Sequence, residues 1–332
     1  MKIRVISDLH IDVNERFPFS LKGEGKDVYA LVAGDVSGGS KATANWIKQN
    51  IHNGCFIVGN HDPAYNEDGI TIQQHKLNLH NKFPLENNVT FLDESVGLMT
   101  KEIPGTNILV IGSTLYTDYK YMEAHTRRTF ENNNKWRKEH NDELLTVEGV
   151  NMSMASPRIG RGGLNDFIWG HVPDEKNPGK QRHLEPEDCL KWFNDTFTKI
   201  KWLVESNKDK DIIVMTHHGP SPKVISERYV GASLNASYVS DLEWFILANP
   251  NIKAWVCGHV HNVTIDKIGD TLLVCNPRGY ERDFEAGDWN PNTFIDTDKW
   301  EVVTEDWKSS EKLSKARKSY SDAALKYAAM FF

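Results

Sequence analysis

Short runs of apolar, often β-branched residues recur along this chain, and each closes on a glycine, an aspartate or a histidine. Ile3 to Ile6 leads into Asp8, Val28 to Val32 into Asp35, and Phe56 to Val58 into Asn60; later, Ile212 to Met215 leads into His217 and Ala254 to Cys257 into His259. Nearly continuous apolar runs of this length read as buried strands whose carboxyl ends open into loops. Polar residues far apart in sequence are therefore expected at one sheet edge. A helical pattern between Lys41 and Asn53, another between Ile72 and Lys82, and a further buried strand at Asn107 to Gly112 predict an α/β fold.

From about Tyr119 to Arg182 the chain changes character, rich in Asn, Arg, Lys and Glu, with a helix expected near Tyr121 to His140 and an irregular stretch from Ser156 to Gly163. This segment, 119–182, reads as an insertion lying over the site. A helix is expected from Glu185-Pro186 with Leu190, Phe193, Phe197, Ile200 and Leu203 on one face. Residues 1–308 then form the main domain, followed by an amphipathic helix over 309–332 that packs on the main body or, alternatively, makes a homodimer contact.

With 332 residues and 39% apolar content, the chain can bury a large core. The cysteines at 55, 189, 257 and 275 lack the spacing of a disulfide framework or zinc knuckle and are expected to be reduced core residues. The first residues lead straight into a strand and no run has the length of a membrane span, so the expectation is a cytoplasmic protein without membrane contact. A net charge of -7 disfavours a protein built to coat nucleic acid. The tryptophans read as core, and the seven histidines outside the motifs, His75 among them, as surface or loop residues.

Chemistry concentrates in five motifs in fixed order: Ser7-Asp8-Leu9-His10, Ala33-Gly34-Asp35, Gly59-Asn60-His61-Asp62, Thr216-His217-His218-Gly219-Pro220 and Gly258-His259-Val260-His261. Carboxylate oxygen, imidazole nitrogen and amide oxygen suit Mn, Fe, Zn, Ni or Co and are too nitrogen-rich for calcium. The donors suffice for two divalent ions. Asp8 with His10, and His259 with His261, alternate by two positions, so that each pair can turn to one side at a strand end. Asp35, alone in its motif, is the natural bridge. Two ions about 3.5 to 4 Å apart would acidify a shared water for attack on phosphorus, with His61 placed to stabilise charge or to protonate the leaving oxygen.

The order and spacing of these motifs resemble the calcineurin-like metallophosphoesterases. That resemblance implies a four-layer sandwich of two mixed sheets flanked by helices. It also implies a first metal held by Asp8, His10, Asp35 and His261, a second held by Asp35, Asn60, His217 and His259, and His61 as general acid. Leu164-Asn165-Asp166-Phe167, Leu234 to Tyr238 and Cys275-Asn276-Pro277-Arg278-Gly279-Tyr280 are similar to a bacterial and phage subgroup whose substrates are mostly unassigned. One departure matters: protein phosphatases of the superfamily carry Asp then Arg where this chain has Gly38 and Gly39. A protein phosphatase is therefore not expected, and the role of orienting His61 falls to Asp62 or to a residue elsewhere.

The resulting expectation is a dinuclear, preferably manganese, phosphoesterase that cleaves a small phosphomonoester or phosphodiester, such as a nucleotide or cyclic nucleotide, by attack of metal-bound hydroxide. Asn165, Arg278 and His218 are the candidates for substrate contact, with His218 also readable as a buried support; Arg158 and Arg161 either fork onto a phosphate or are solvated loop residues. A DNA or RNA nuclease is one alternative, disfavoured because His217 is followed by His218 and no basic stripe is present. A non-catalytic metal-binding scaffold is the other, disfavoured because no ligand type is missing.

Overall fold

Each of the six apolar runs singled out above forms a strand in the computed structural model, which describes residues 1–14, 20–21, 28–64, 69–83, 88–157, 163–281 and 288–306. One six-stranded sheet runs, in spatial order, Glu301–Thr304, Thr293–Asp296, Lys2–Ile6, Tyr29–Ala33, Asn53–Ile57 and Val89–Phe91. The other runs Thr264–Ile268, Thr271–Cys275, Ile252–Cys257, Asp211–Thr216, Ile108–Ser113 and Thr100–Glu102. In each sheet four neighbouring strands run parallel, and the antiparallel strands beside them make both sheets mixed.

Side-chain alternation assigns the layers. Ile3, Val5, Leu31 and Ile57 meet Val110, Ile213, Met215 and Val256 between the sheets. Ile6, Val32, Phe56 and Phe91 point the other way, under Trp46 and Ile47 of helix Ser40–Asn50 and Leu79 of helix Ile72–Lys82. On the opposite outer face, Phe193, Phe197, Ile200 and Val204 of helix Pro186–Ser206 cover Leu109, Ile111, Val214 and Trp255. Helix, sheet, sheet and helix thus form the expected four layers. Burying one such phenylalanine contributes about 1.5 to 3 kcal/mol.

Several details differ from the sequence reading. The first helix stops at Asn50 rather than Asn53, because Ile51 is extended and Asn53 already pairs with Tyr29. Along Pro186–Ser206 the inner row includes Cys189 and Val204, while Leu190 and Leu203 are only partly buried. Trp136, Trp169, Trp202 and Trp244 are exposed, not core, and His75 is fully buried, so that burial pushes its pKa down to about 3. All four cysteines are free and buried.

Within the segment 119–182, helices Ala124–Glu139 and Val147–Ala155, a short turn Asp166–Trp169 and strand His171–Pro173 are formed. Asn151 donates to the Tyr119 and Tyr121 carbonyls and so fastens helix Val147–Ala155 to the start of the segment. The expected helix over 309–332 and the loop residues Arg158 and Arg161 lie outside the described residues. Among the described residues, no helix is long and apolar enough to cross a membrane.

Candidate metal centre

The parallel register aligns Ile6 with Val32, Ala33 with Ile57, and Met215 with Val256, so the loops that follow these strands open at the same edge. The side chains are not delivered by strand alternation, as their spacing suggested. The strands stop at Ile6 and Cys257, and Asp8, His10, Asp35, His259 and His261 adopt left-handed backbone conformations with φ of 51, 42, 52, 69 and 48°. Such φ costs a non-glycine residue about 1 to 2 kcal/mol, and Asp and His tolerate it better than most. Local hydrogen bonds hold the turns: Asp8 N–H donates to Gly34 O (3.0 Å), His10 N–H to Asp35 O (3.1 Å) and His259 N–H to Asp8 Oδ1 (2.9 Å). Strain concentrated on five residues of one pocket marks a site the surrounding structure is built to maintain.

Two donor clusters result. In the first, His261 Nε2 lies 3.4 Å from Asp8 Oδ1 and 3.0 Å from His10 Nε2, which itself is 4.0 Å from Asp8 Oδ1. In the second, His217 Nε2 lies 3.1 Å from Asp35 Oδ2 and 3.0 Å from Asn60 Oδ1, with His259 grouped beside Asp35 and His217. Asp35 Oδ2 is also 3.9 Å from His10 Nε2, so this one oxygen faces both clusters.

The donor chemistry fits divalent ions. His217 Nδ1 is 2.8 Å from Ala33 O, which can only accept, so the proton belongs on Nδ1 and Nε2 turns a lone pair toward two more acceptors. Without a cation that arrangement needs a second proton: burial opposes the charge, but Asp35 outweighs it and pushes His217 up to about 9. Ion binding there would displace the proton. Burial drives His10 and His259 well below the ordinary histidine value, leaving neutral rings, the form that ligates metal. Buried His259 Nε2 and His10 Nδ1 have no hydrogen-bond partner among the described residues. Burial would raise the Asp35 pKa, but His217 holds this carboxyl well below the ordinary range.

Close packing explains the glycines of the motifs. A Cβ on Gly59 would collide with Asp35 Oδ1 and stand 2.5 Å from His217 Nε2, and one on Gly258 would stand 2.5 Å from Asp8 Oδ2.

Two carboxylates have roles not assigned from sequence. Asp12 Oδ2 is 2.8 Å from His61 Nε2, so the acid beside His61 is Asp12, not Asp62. Burial lowers the His61 pKa, yet the bond to Asp12 and the charge of Asp35 leave it above the ordinary value. The signal was present, since Asp12 extends the Asp8, His10 alternation by one more step. Asp62 instead accepts from the backbone N–H groups of Asp35, Val36, Ser37 and Gly59 and from Thr43 Oγ1, at 2.7 to 3.1 Å. It clamps the Asp35 loop to the Asn60 loop.

A cavity of about 460 Å³ opens from the clusters, lined by Asp35, Asn60, His61, His259 and His261 on one side. Leu164, Asn165 and Asp166 of the segment 119–182 line it, as do Tyr229, Tyr238 and Tyr280. Asn165 is thus placed at the cavity. His218 lies behind its wall, buried, with its ring 4.3 Å from that of His259, and burial, then His217, lower it to about 3. Arg278 is not brought to the cavity: it is fully buried, bonded to Glu281 and packed over Trp289.

Two mixed sheets in four layers, with carboxylate, amide and imidazole donors gathered at their shared edge, define the class of metal-dependent phosphoester hydrolases. The model of the calcineurin-like phosphoesterases matches residues 1–263, and the chain belongs to that family. No curated protein matches it. Among solved structures, a phosphopantetheinyl hydrolase from Mycobacterium tuberculosis aligns at 14% identity and a TM-score of 0.56, over 93% of this chain and 98% of that one. The protein TT1561 of Thermus thermophilus aligns at 12% identity and a TM-score of 0.45, over 92% and 98%. A putative 5'-nucleotidase from Staphylococcus aureus aligns at 12% identity and a TM-score of 0.41, over 97% of this chain and 58% of that one. The first of these shares the fold.

Proposed function

We infer that the chain hydrolyses a small organic phosphate ester, with Asp8, His10, Asp35 and His261 holding one divalent ion and Asp35, Asn60, His217 and His259 a second. The observation that carries this reading is the position of Asp35 Oδ2, 3.1 Å from a ring nitrogen of one cluster and 3.9 Å from a ring nitrogen of the other. When bound, two such ions supply an acidified water and neutralise phosphate oxygens. Mn is the first choice among the ions this donor set suits.

The protein's own groups do the rest. His61, its pKa raised by Asp12 and Asp35, stands at the cavity wall, where its protonated form supplies a proton to the leaving oxygen. Asp62 fixes the two loops that carry Asp35, Asn60 and His61, so the donors need not reorganise during the reaction. The cavity volume suits a metabolite-sized ester. Nucleotides and cyclic nucleotides are the first substrate class. A phosphopantetheinyl group joins them for screening, because one protein of the same fold is described as its hydrolase. The segment 119–182 acts as a wall and cover of that cavity within a main domain of residues 1–308.

Hydrolysis of p-nitrophenyl phosphate and bis-p-nitrophenyl phosphate, with manganese, with chelator and with His61→Ala, tests the reading. Turnover that chelator abolishes and His61→Ala reduces supports it. Turnover unaffected by chelator refutes it.

A further inference from the structure

Asn60 is the weakest donor of the set, because an amide can present either its oxygen or its NH2 group to the same point, and only the oxygen ligates a cation. The structure holds the amide one way round. Asn60 Nδ2 donates to Asp166 Oδ1 at 2.9 Å, and Asn60 Oδ1 faces His217 Nε2 at 3.0 Å. An ionised carboxylate can only accept, so a flipped amide would set oxygen against oxygen at Asp166. Asp166 comes from the segment 119–182, 106 positions along the chain from Asn60.

That segment is built to hold Asp166 still. The turn Asp166–Trp169 closes with Gly170 N–H donating to Asp166 O at 2.7 Å, and a Cβ on Gly170 would stand 2.6 Å from that oxygen. On one side Leu164 N–H donates to Ala155 O, and on the other Leu184 N–H donates to Gly170 O, both at 2.8 Å. Phe167 packs into a core of its own with Tyr116, Tyr119, Val172 and Leu184. Asp166 is itself buried, and its bond to Asn60 stands at the cavity wall, partly buried.

We propose that Asp166 is a positioning residue: it sets the Asn60 amide with its oxygen toward the second ion, making the segment 119–182 part of the metal centre. This assignment rests on reading Asn60 as a ligand. Outer partners of this kind typically alter metal affinity about 10- to 100-fold.

The test is calorimetric titration of metal-free protein with Mn²⁺ alone. Wild type is expected to take two ions, and Asp166→Leu to weaken one of them about 10- to 100-fold while leaving the other. Asp166→Asn still offers an oxygen to Asn60 Nδ2 and should stay closer to wild type than the leucine variant. In an Asn60→Asp background there is no amide to steer, so Asp166→Leu should cause no further weakening. If the leucine variant does not fold, Asp166→Ser, smaller and without a carboxylate, gives the same comparison. Unchanged affinity in Asp166→Leu overturns the proposal, as does equal weakening in the Asn60→Asp background. Two ions on a wild-type protein that hydrolyses no ester would refute the proposed function and leave this assignment standing.

Discussion

Asp12 Oδ2 lies 2.8 Å from His61 Nε2, and the same histidine's backbone N–H donates to Asp35 Oδ1 at 2.9 Å. His61 is therefore tied at one end to the carboxylate between the two donor clusters and at the other to an acid four positions past Asp8.

Because Asp12 orients the His61 ring and supports its charge, Asp12→Asn should lower kcat about 10- to 100-fold, with KM nearly unchanged. The loss should be greatest for alkyl phosphates, whose leaving oxygen needs a proton, and least for p-nitrophenyl esters. Equal loss on both, measured as kcat against leaving-group pKa, would count against the role of acid for His61.

Asp62 and His61 are neighbours with separable duties. Asp62→Ala strands several buried donors, so it should lower stability by about 3 kcal/mol or more and abolish metal binding. His61→Ala should lower activity without a comparable fall in the melting temperature of the metal-free protein. Equal melting temperatures for the two variants would contradict the clamp.

Gly59→Ala tests the close packing around Asp35. Its backbone carries no conformational penalty, but the added methyl falls on Asp35 Oδ1 and His217 Nε2. Manganese affinity should fall by about tenfold or more, which titration of the metal-free variant measures. Wild-type affinity would mean that these atoms do not form the site.

Away from the site, Lys76 Nζ and Asp93 Oδ2 form a buried pair at 2.9 Å. Burial would raise the Asp93 pKa, but Lys76 and Ser95 outweigh it and leave the carboxyl below its ordinary value. A depressed folded pKa gives stability that is present above the unfolded value of about 3.9 and lost as pH falls through the folded one. Lys76→Met should thus cost about 3 kcal/mol at pH 7, and the difference should shrink on acidification, starting above about pH 4 because the buried Asp93 left unpaired in the variant takes up a proton first. Urea melts of both proteins at several pH values measure it, and a gap independent of pH would argue against the pair.

The fold was legible because apolar runs ending in Asp, Asn or His carry their position in the sheet with them. The residues of the two donor clusters were legible for the same reason, each sitting just past a strand end. What sequence did not reveal depends on contacts between distant segments. Nothing near Asp166 points to Asn60, and nothing near Arg278 says that Glu281 and Trp289 enclose it. Even the turn geometry was hidden: spacing by two suggested strand alternation for Asp8 and His10, while the structure uses left-handed φ at both. Exposure of Trp202 and Trp244 likewise follows from which face of each helix meets a sheet, and composition does not encode that.

The central claim, two ions sharing Asp35, is tested most directly by counting manganese bound per chain in wild type and in Asp35→Ala, by equilibrium dialysis with elemental analysis. Two ions in wild type, with both sites weakened in the variant because they lose the same carboxylate, is the predicted result. Fewer than two ions in wild type, or an Asp35→Ala protein that still binds two at wild-type affinity, would contradict it.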